Sequence, residues 1–162
     1  MPVCQTLKTP FGNLTLAANG SGEIMGVVFG QAAALRARLG AGREIQAGGD
    51  APVLRQAAAQ IAEYFSGERK RFDLPLAPAG TPFQRRVRRE LRKIPFGETR
   101  SYGDIARKLK TSARAIGSAC GANTVALLVP CHRVIASDGG LSGFAFGPGT
   151  KARLLAHERK NA

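Results

Sequence analysis

The chain changes character at residues 72–80, where two prolines and a closing glycine interrupt the pattern of apolar residues. Proline restricts its own backbone and that of the preceding residue, so we expect this segment to be extended and to link two folded parts. The charge changes at the same place. Residues 1–79 carry eight basic and six acidic side chains, whereas residues 80–162 carry 16 and five. We therefore predict two small domains, residues 1–79 and 80–162, of which only the second is strongly basic.

The first domain is predicted to be an α/β unit. Short apolar runs at residues 14–18 and 24–29 are bounded by glycine and asparagine, which is typical of strands joined by tight turns in a short antiparallel sheet. A small helix is predicted at residues 32–39. The clearest helix spans residues 51–66, because its apolar residues recur at helical spacing, and Asp50 is its predicted cap.

Several classes of protein are disfavoured by composition. There is no run of about 18 apolar residues, so we expect no membrane span and no membrane partner. The first 13 residues lack the basic and then apolar pattern of a secretory signal, so we expect no secretion. The three cysteines, Cys4, Cys120 and Cys131, have no paired spacing, which favours a reducing cytoplasm over a disulfide framework.

The second domain is predicted to be mostly helical. Thr81 and Gln84 have the spacing of a capping box, with Pro82 as the first helical residue. A second helix at residues 101–109 and a third at residues 113–120 are separated by a turn of a few residues, as in a helix-turn-helix. The positive charge of this domain, most of the +13 of the chain, indicates a polyanionic partner such as nucleic acid.

The third predicted helix consists almost entirely of small residues, with Arg114 as its only large polar side chain. Small side chains permit a close approach, either of a neighbouring helix or of the minor groove of DNA, which is only about 6 Å wide. In the second case Arg114 can enter the base stack. The residues alone leave both interpretations open. The small residues are Ser112, Ala113, Ala115, Gly117, Ser118 and Ala119.

Cys131 and His132 are a candidate nucleophile and base, with a purely structural pair as the alternative. A thiol becomes a good nucleophile when a neighbouring base favours its thiolate. Neighbours in extended chain face opposite ways, so we expect a water, rather than a direct hydrogen bond, to join the two side chains. Glu158 and Asp138 are candidate carboxylates to orient the imidazole. A zinc site is disfavoured, because only His132 and His157 exist and no Cys-x-x-Cys accompanies them.

Short motifs in the second half occur in a characteristic order. They are Gly-Thr-Pro-Phe-Gln at 80–84, Ile-Pro-Phe-Gly-Glu-Thr at 94–99, Ser-Tyr at 101–102, Arg-Ala-Ile-Gly at 114–117, Pro-Cys-His-Arg-Val at 130–134 and Leu-Leu-Ala-His-Glu at 154–158. In content and order they resemble the O6-alkylguanine-DNA alkyltransferases, also called methylated-DNA–protein-cysteine methyltransferases. The resemblance is dense over residues 80–158 and loose over the first half.

The resemblance implies a catalytic role for each matching residue. Cys131 would be the acceptor thiol, His132 its base through a water, and Glu158 the carboxylate that holds the imidazole. Asn123 would pin the third helix to the cysteine loop, because its amide can both donate and accept. Tyr102 would approach the target phosphate and guanine N3, help to rotate the base and protonate it as it leaves.

The resemblance also implies the residues that contact the substrate. The extruded guanine would stack on Phe144, and the loop around Ala145 would offer a backbone N–H to O6. The backbone carbonyls of Cys131 and Val134 would accept from the exocyclic amine, while Arg114 would fill the gap left in the stack. The implied DNA-binding residues are Arg114, Ser112, Ala113, Ala115, Gly117 and Tyr102.

The implied fold is α+β, with a ribonuclease-H-like first domain and a helix-turn-helix, winged-helix-like second domain. The implied enzyme is a methylated-DNA–protein-cysteine S-methyltransferase that removes alkyl groups from O6-alkylguanine, and from O4-alkylthymine, in duplex DNA by base flipping. Each molecule would act once, because a thioether sulfur is not a leaving group. The alternatives are a damage sensor that binds alkylated bases without accepting the group, and a Cys-His-Glu hydrolase of small substrates.

The expected partner is double-stranded DNA, and we expect no cofactor. Some members of the family hold zinc in the first domain through cysteine and histidine ligands. Here that domain offers only Cys4 and no histidine, so we expect no metal. We further expect a monomer that is cytoplasmic and nucleoid-associated when bound to DNA.

Overall fold

The computed structural model describes residues 1–40, 42–141 and 144–162, which divide into two compact units. The first unit consists of Met1–Pro78 together with Thr124–Ala126. The second consists of Ala79–Asn123 and Leu127–Ala162. The predicted two-domain α+β fold is confirmed, although three residues of the second half fold with the first unit.

The first unit is built on a small sheet. Its strands are β1 (Val3–Thr9), β2 (Gly12–Ala18), β3 (Ile24–Phe29) and the two-residue β4 (Gln46–Ala47). Their order is β3-β2-β1-β4, antiparallel except that β4 runs parallel to the start of β1. Gly12 closes the turn from β1 to β2 at a φ of 95°, which residues with a side chain rarely adopt. The short antiparallel sheet predicted from glycine and asparagine punctuation is therefore present.

Helices α1 (Ala32–Leu39) and α2 (Pro52–Phe65) complete the first unit. Helix α2 buries the apolar stripe that its periodicity predicts, formed by Val53, Leu54, Ala57, Ile61 and Tyr64. The predicted cap of this helix is wrong. Its N-cap residue is Ala51, whereas Asp50 forms an ion pair with Arg55. A side chain at the N-cap position can accept hydrogen bonds from the unbonded N–H groups of the first turn, but Asp50 lies one residue before that position.

Two extended segments cover the outer edge of β3. The Ile24 N–H donates to the Pro75 carbonyl and the Ala77 N–H to the Ile24 carbonyl, each at 2.8 Å. Further along, the Val27 N–H donates to the Thr124 carbonyl and the Ala126 N–H to the Val27 carbonyl, each at 2.9 Å. These bonds satisfy an edge that would otherwise pair with another chain. The return of residues 124–126 to this sheet is a long-range pairing that local sequence patterns did not predict.

The second unit is mostly helical. Its helices are α3 (Pro82–Leu91), α4 (Tyr102–Leu109), α5 (Ala113–Gly121) and α6 (Pro148–Asn161). A minimal parallel sheet pairs β5 (Arg100–Ser101) with β6 (Val134–Ile135). Thr81 and Gln84 form the predicted capping box at the start of α3.

Helices α4 and α5 form the predicted helix-turn-helix around a turn at residues 110–112. Ser101 and Asp104 form a capping box at the start of α4, and Lys110 ends the helix in the left-handed region, at a φ of 56°. The Ser112 hydroxyl accepts from the Ala115 N–H at 3.1 Å and caps α5. The beginning of the small-residue helix is thus fixed by its own sequence. No helix in the described ranges is both long enough and apolar enough to span a bilayer.

Candidate active site and nucleic-acid interface

Cys131 begins a single 3₁₀ turn, Cys131–Arg133, in which its side chain is 4% exposed. Two backbone bonds fix the turn: the Cys131 N–H donates to the Val129 carbonyl at 2.8 Å, and the Arg133 N–H to the Pro130 carbonyl at 3.0 Å. The Asn123 amide nitrogen lies 3.1 Å from both the Cys131 Sγ and the Val129 carbonyl and donates to them. Asn123 lies two residues beyond the end of α5, so its side chain ties the end of that helix to the cysteine turn.

His132, Arg133 and Glu158 form a buried charged cluster. The Nε2 of His132 lies 2.7 Å from Oε2 of Glu158, and both side chains are 1% exposed. The Arg133 guanidinium donates to both carboxylate oxygens, from Nε at 2.8 Å and from Nη2 at 3.0 Å, and its Nη1 donates to the Ile94 carbonyl at 2.7 Å. The Gly97 N–H adds a weaker bond to Oε1 at 3.3 Å. Besides the imidazole, three hydrogen bonds from Arg133 and Gly97 therefore hold the predicted orienting carboxylate.

Burial and hydrogen bonding together set the protonation of this cluster. Burial alone would raise the pKa of Glu158, but the hydrogen bonds from His132 and Arg133, with the charge of Arg133, more than offset it and hold the pKa well below its usual range. Burial lowers the pKa of His132 from its ordinary value of 6.5 and outweighs the opposing effect of Glu158. The imidazole is thus neutral at pH 7, and its one N–H is the Nε2–H that donates to the carboxylate.

The remaining ring nitrogen of His132 is available as a base. Its Nδ1 is buried and has no hydrogen-bond partner among the residues that the structure describes. The ring therefore makes no direct bond to the Cys131 thiol, since Nε2 is occupied by Glu158. A neutral imidazole with a fixed N–H on one nitrogen and an unused lone pair on the other is the state required of a general base.

Tyr102 lies beside a second cluster, which sequence reasoning missed. The Lys151 ammonium is completely buried, 3.5 Å from the Tyr102 hydroxyl and 5.6 Å from the centroid of its ring. Burial, with the charges of Cys120 and Cys131, raises the pKa of Tyr102 to about 12, so its hydroxyl keeps its proton. Burial likewise raises the pKa of Cys120 to about 12, with Cys131 adding to the effect.

Lys151 is placed in this cluster by the helical pattern of α6. Burial lowers its pKa, while Cys131 and Cys120 oppose that shift. Lys151, Leu154, Leu155 and Glu158 recur at helical spacing and are all buried, so this lysine lies on the apolar stripe of its helix. A lysine at a position of the apolar stripe was the sequence signal that could have identified this buried cation. Arg133, which was noted only as part of the cysteine motif, carries no such signal because its partner is 25 residues away.

The predicted DNA-contacting residues lie together at the start of α5. Ser112, Ala113 and Arg114 are exposed, and Ala115 and Gly117 are half-buried. A Cβ atom added at Gly117 would lie 3.9 Å from the Tyr102 ring, so the helix passes close to this tyrosine. Arg114 thus projects from the same helix whose far end is tied to Cys131 through Asn123.

Of the predicted substrate-binding residues, all of which the structure describes, only Val134 is hydrogen-bonded to the cysteine turn. Val134 is fully buried in β6, and its N–H donates to the Cys131 carbonyl, one of the proposed acceptors for the guanine amine. Phe144 is half-buried and stacks edge-on with Phe146, with ring centroids 5.3 Å apart. Ala145 is exposed between them. Within the described ranges, no hydrogen bond or ring contact joins Phe144 or Ala145 to the cysteine turn.

Metal ligands do not cluster in the part of the chain that the structure describes, where no three His, Cys, Asp or Glu side chains come together. None of the three cysteines forms a disulfide.

Comparison with known proteins covers both units. The family model described as 6-O-methylguanine DNA methyltransferase, DNA binding domain, matches residues 82–160. A second, described as 6-O-methylguanine DNA methyltransferase, ribonuclease-like domain, matches residues 3–78. The methylated-DNA–protein-cysteine methyltransferase of Mycobacterium bovis is 40% identical over 160 residues, which cover 98% of this chain and 93% of the relative. That of Methanosarcina acetivorans is 48% identical over 106 residues, covering 64% of this chain and 68% of the relative.

A solved structure agrees with these sequence matches. The crystal structure of Mycobacterium tuberculosis OGT in complex with DNA has a TM-score of 0.85 and 37% sequence identity to this chain. The similarity covers 99% of this chain and 94% of that one. With a ribonuclease-like first domain and a DNA-binding second domain, the chain belongs to the 6-O-methylguanine DNA methyltransferase family of DNA alkyl-repair proteins.

Proposed function

We propose that this protein transfers the alkyl group of O6-alkylguanine in duplex DNA, and also that of O4-alkylthymine, to the sulfur of Cys131. The observation that carries the proposal is the set of polar groups around the buried Cys131 thiol. Asn123 donates a hydrogen bond to its sulfur, and the adjacent His132 is a neutral base with a buried, unused ring nitrogen. A buried ammonium and a protonated phenol, at Lys151 and Tyr102, interact with it electrostatically.

The first step is formation of the thiolate. The Nδ1 of His132 takes the thiol proton through a bridging water, because its lone pair has no protein partner among the described residues and adjacent side chains do not meet directly. Glu158 and Arg133 keep the Nε2–H in place, so only Nδ1 can act as the base. A proton gained by the ring is stabilised by the Glu158 carboxylate at 2.7 Å.

Two groups stabilise the thiolate once it has formed. The Asn123 amide donates to Sγ, and a hydrogen bond to the charged form of a group favours that form. The Lys151 ammonium supplies a positive charge in a buried site, where screening by water is weak. The same ammonium lies 3.5 Å from the Tyr102 hydroxyl and polarises it, while burial of the tyrosine keeps that hydroxyl protonated.

Transfer is a displacement at a saturated carbon. The Cys131 sulfur forms a bond to the alkyl carbon, the bond from that carbon to O6 breaks, and its electron pair leaves with the guanine. Tyr102 protonates the base at N3 as negative charge develops, which lowers the barrier to its departure. The products are a thioether on Cys131 and guanine, once the proton added at N3 has been exchanged through solvent for one at N1. The Tyr102 phenolate regains a proton, which balances the one that His132 took from the thiol. Since a thioether is not a leaving group, each molecule acts once.

Access to the alkyl carbon requires that the nucleotide leave the stack, because O6 lies within the duplex. We propose that the start of α5 enters the minor groove, where its small residues permit close approach and Arg114 fills the gap. The extruded base then stacks on Phe144, with O6 facing the backbone N–H groups near Ala145. The carbonyls of Cys131 and Val134 accept from the exocyclic amine.

We propose that the protein acts as a monomer in the cytoplasm, without a metal or cofactor. The three cysteines have no paired spacing in the sequence, which supports a reducing compartment. The displacement itself needs only a thiolate, a base and a proton donor, all of which this chain supplies.

The test is incubation of the protein with a duplex that carries one O6-methylguanine, followed by peptide mass mapping. The Cys131 peptide is expected to gain the mass of one methyl group in place of one hydrogen, with at most one group per protein molecule. Cys131→Ser is expected to abolish transfer while duplex binding persists. Binding without capture in the unaltered protein would instead identify a damage sensor, and ester turnover would identify a hydrolase.

A further inference from the structure

One side of α3 presents a set of cations that the proposed mechanism does not use. Arg85, Arg86, Arg89 and Arg92 are all exposed, whereas Val87, Glu90 and Leu91 face the interior. We call these four residues the arginine face of α3. Arg89 lies three or four positions from each of the other three along the helix and its C-cap, so the four are neighbours on one surface. Exposed arginines are common, so these four indicate a binding surface only if no acidic residue balances their charge.

The arginine face has no acidic counterpart in the described part of the chain. No Asp or Glu oxygen lies within 4.0 Å of any of its four guanidinium groups. The one acid of α3, Glu90, is buried and already bound by Lys108 at 2.6 Å and Lys93 at 3.3 Å. Burial and the charge of Arg92 both lower the pKa of the neighbouring Arg88, so the positive charges on this helix repel one another. The face is therefore open to an external anion.

The face begins beside the helix-turn-helix. Arg86 donates from Nη2 to the Leu109 carbonyl at 3.3 Å, and Leu109 is the last residue of α4. The turn that follows leads directly to Ser112 and Arg114 at the start of α5. From Arg85 to Arg92 the helix advances about 10 Å. That length is the rise of about three nucleotides along one strand of DNA.

We infer that the arginine face of α3 binds the phosphate backbone of the duplex next to the segment contacted by α5. This inference rests on the proposed function, since it takes the same DNA as its partner. Guanidinium groups suit phosphates because their paired N–H groups match the phosphate oxygens. Continuity with the helix-turn-helix and the absence of acidic neighbours among the described residues favour phosphates over an acidic protein. Such contacts position the protein on DNA but carry no sequence information.

The experiment measures binding of an unmethylated duplex as a function of salt. The variant R89Q/R92Q removes two charges at positions with no described partner. The control R43Q/R71Q removes two exposed charges from the first unit, so the change in net charge is identical. Melting temperatures of both variants check that the fold is retained. A separate assay measures methyl capture from O6-methylguanine DNA by the unaltered protein.

R89Q/R92Q is expected to weaken binding about tenfold and to reduce the slope of log K against log salt by about 0.9 for each phosphate that is no longer neutralised. R43Q/R71Q is expected to change the affinity less than about twofold, because its charges lie outside the proposed contact. Equal decreases in affinity in the two variants, or an unchanged slope in R89Q/R92Q, would overturn the inference and leave the proposed function intact. Failure of methyl capture by the unaltered protein would instead overturn the proposed function, and the salt data would still decide whether α3 binds DNA.

Discussion

Cys120 and Cys131 are both buried thiols near the same tyrosine and lysine, yet their surroundings favour opposite states. Cys131 accepts a hydrogen bond from Asn123, whereas burial and the charge of Cys131 raise the pKa of Cys120 to about 12. The attacking species is a thiolate, so a thiol held in its neutral form is a poor nucleophile. Cys120 is thus kept in its unreactive thiol form chiefly by burial, with Cys131 adding to the effect.

We therefore expect alkylation to be confined to Cys131. After reaction with methylated DNA, peptide mapping should find the Cys120 peptide unmodified, and Cys120→Ser should capture the same single group as the unaltered protein. Methyl groups on Cys120 in the Cys131→Ser variant would show that the pKa of Cys120 is not raised as described.

Lys151 offers a second test at the scale of single residues. Lys151→Met removes a buried cation but keeps the length of the side chain, so we expect capture of the alkyl group to slow about tenfold or more, because the thiolate loses a charge that water screens weakly. Stability should not fall, since burial opposes the charged form of this lysine. The matched control is Lys160→Met, at an exposed position of the same helix, which should react at the unaltered rate. Equal rates in the two variants would remove Lys151 from the mechanism.

At the scale of elements, the predictions succeeded where the signal was local. The capping box of α3 needs only Thr81 and Gln84, three residues apart, and it is present. The predicted cap of α2 was wrong by one residue. Ala51 occupies the N-cap position, and Asp50 forms an ion pair with Arg55 instead. Such a choice depends on side-chain geometry that spacing does not describe.

In the site, too, the features with a local sequence signal were predicted and those that depend on long-range packing were not. Motif order led to Cys131, His132 and Glu158, and the structure places the last two 2.7 Å apart. The bonds of Arg133 and the position of Lys151 escaped prediction, because they depend on how α6 packs within the second unit. The pairing of residues 124–126 with β3 was missed for the same reason: it joins positions about 100 residues apart, and no periodicity reports such a contact.

Helix α5 carries a prediction of its own. Its first residues are small and exposed around Arg114, and we propose that this arginine replaces the extruded base. Arg114→Ala should slow repair of O6-methylguanine in duplex DNA about tenfold or more, because unstacking a base costs a few kcal/mol. Reaction with free O6-benzylguanine, which needs no extrusion, should slow much less. Equal reductions in rate on the two substrates would show that Arg114 acts on the chemistry and not on extrusion.

For the molecule as a whole, the buried cluster of His132, Arg133 and Glu158 couples stability to pH. The pKa of Glu158 is held below its ordinary 4.5, so its contribution is complete above that value and is lost as the pH falls towards the folded pKa. The pKa of His132 is lowered from 6.5, so below pH 6.5 the unfolded ring takes up a proton that the folded ring refuses. Both groups therefore destabilise the fold in acid.

We accordingly expect the free energy of unfolding, measured with urea, to decrease as the pH falls below 6.5 through His132, and to decrease further below 4.5 through Glu158. Glu158→Gln should cost about 3–5 kcal/mol at neutral pH, since it leaves the buried Arg133 charge without its counter-ion. The control Glu68→Gln, at an exposed position, should change the free energy by less than about 0.5 kcal/mol. In Glu158→Gln the decrease below pH 4.5 should be smaller, because Glu158 no longer titrates, whereas Glu90 and Asp104, whose pKa values are also lowered, still do. An undiminished decrease would place the acid sensitivity elsewhere in the molecule.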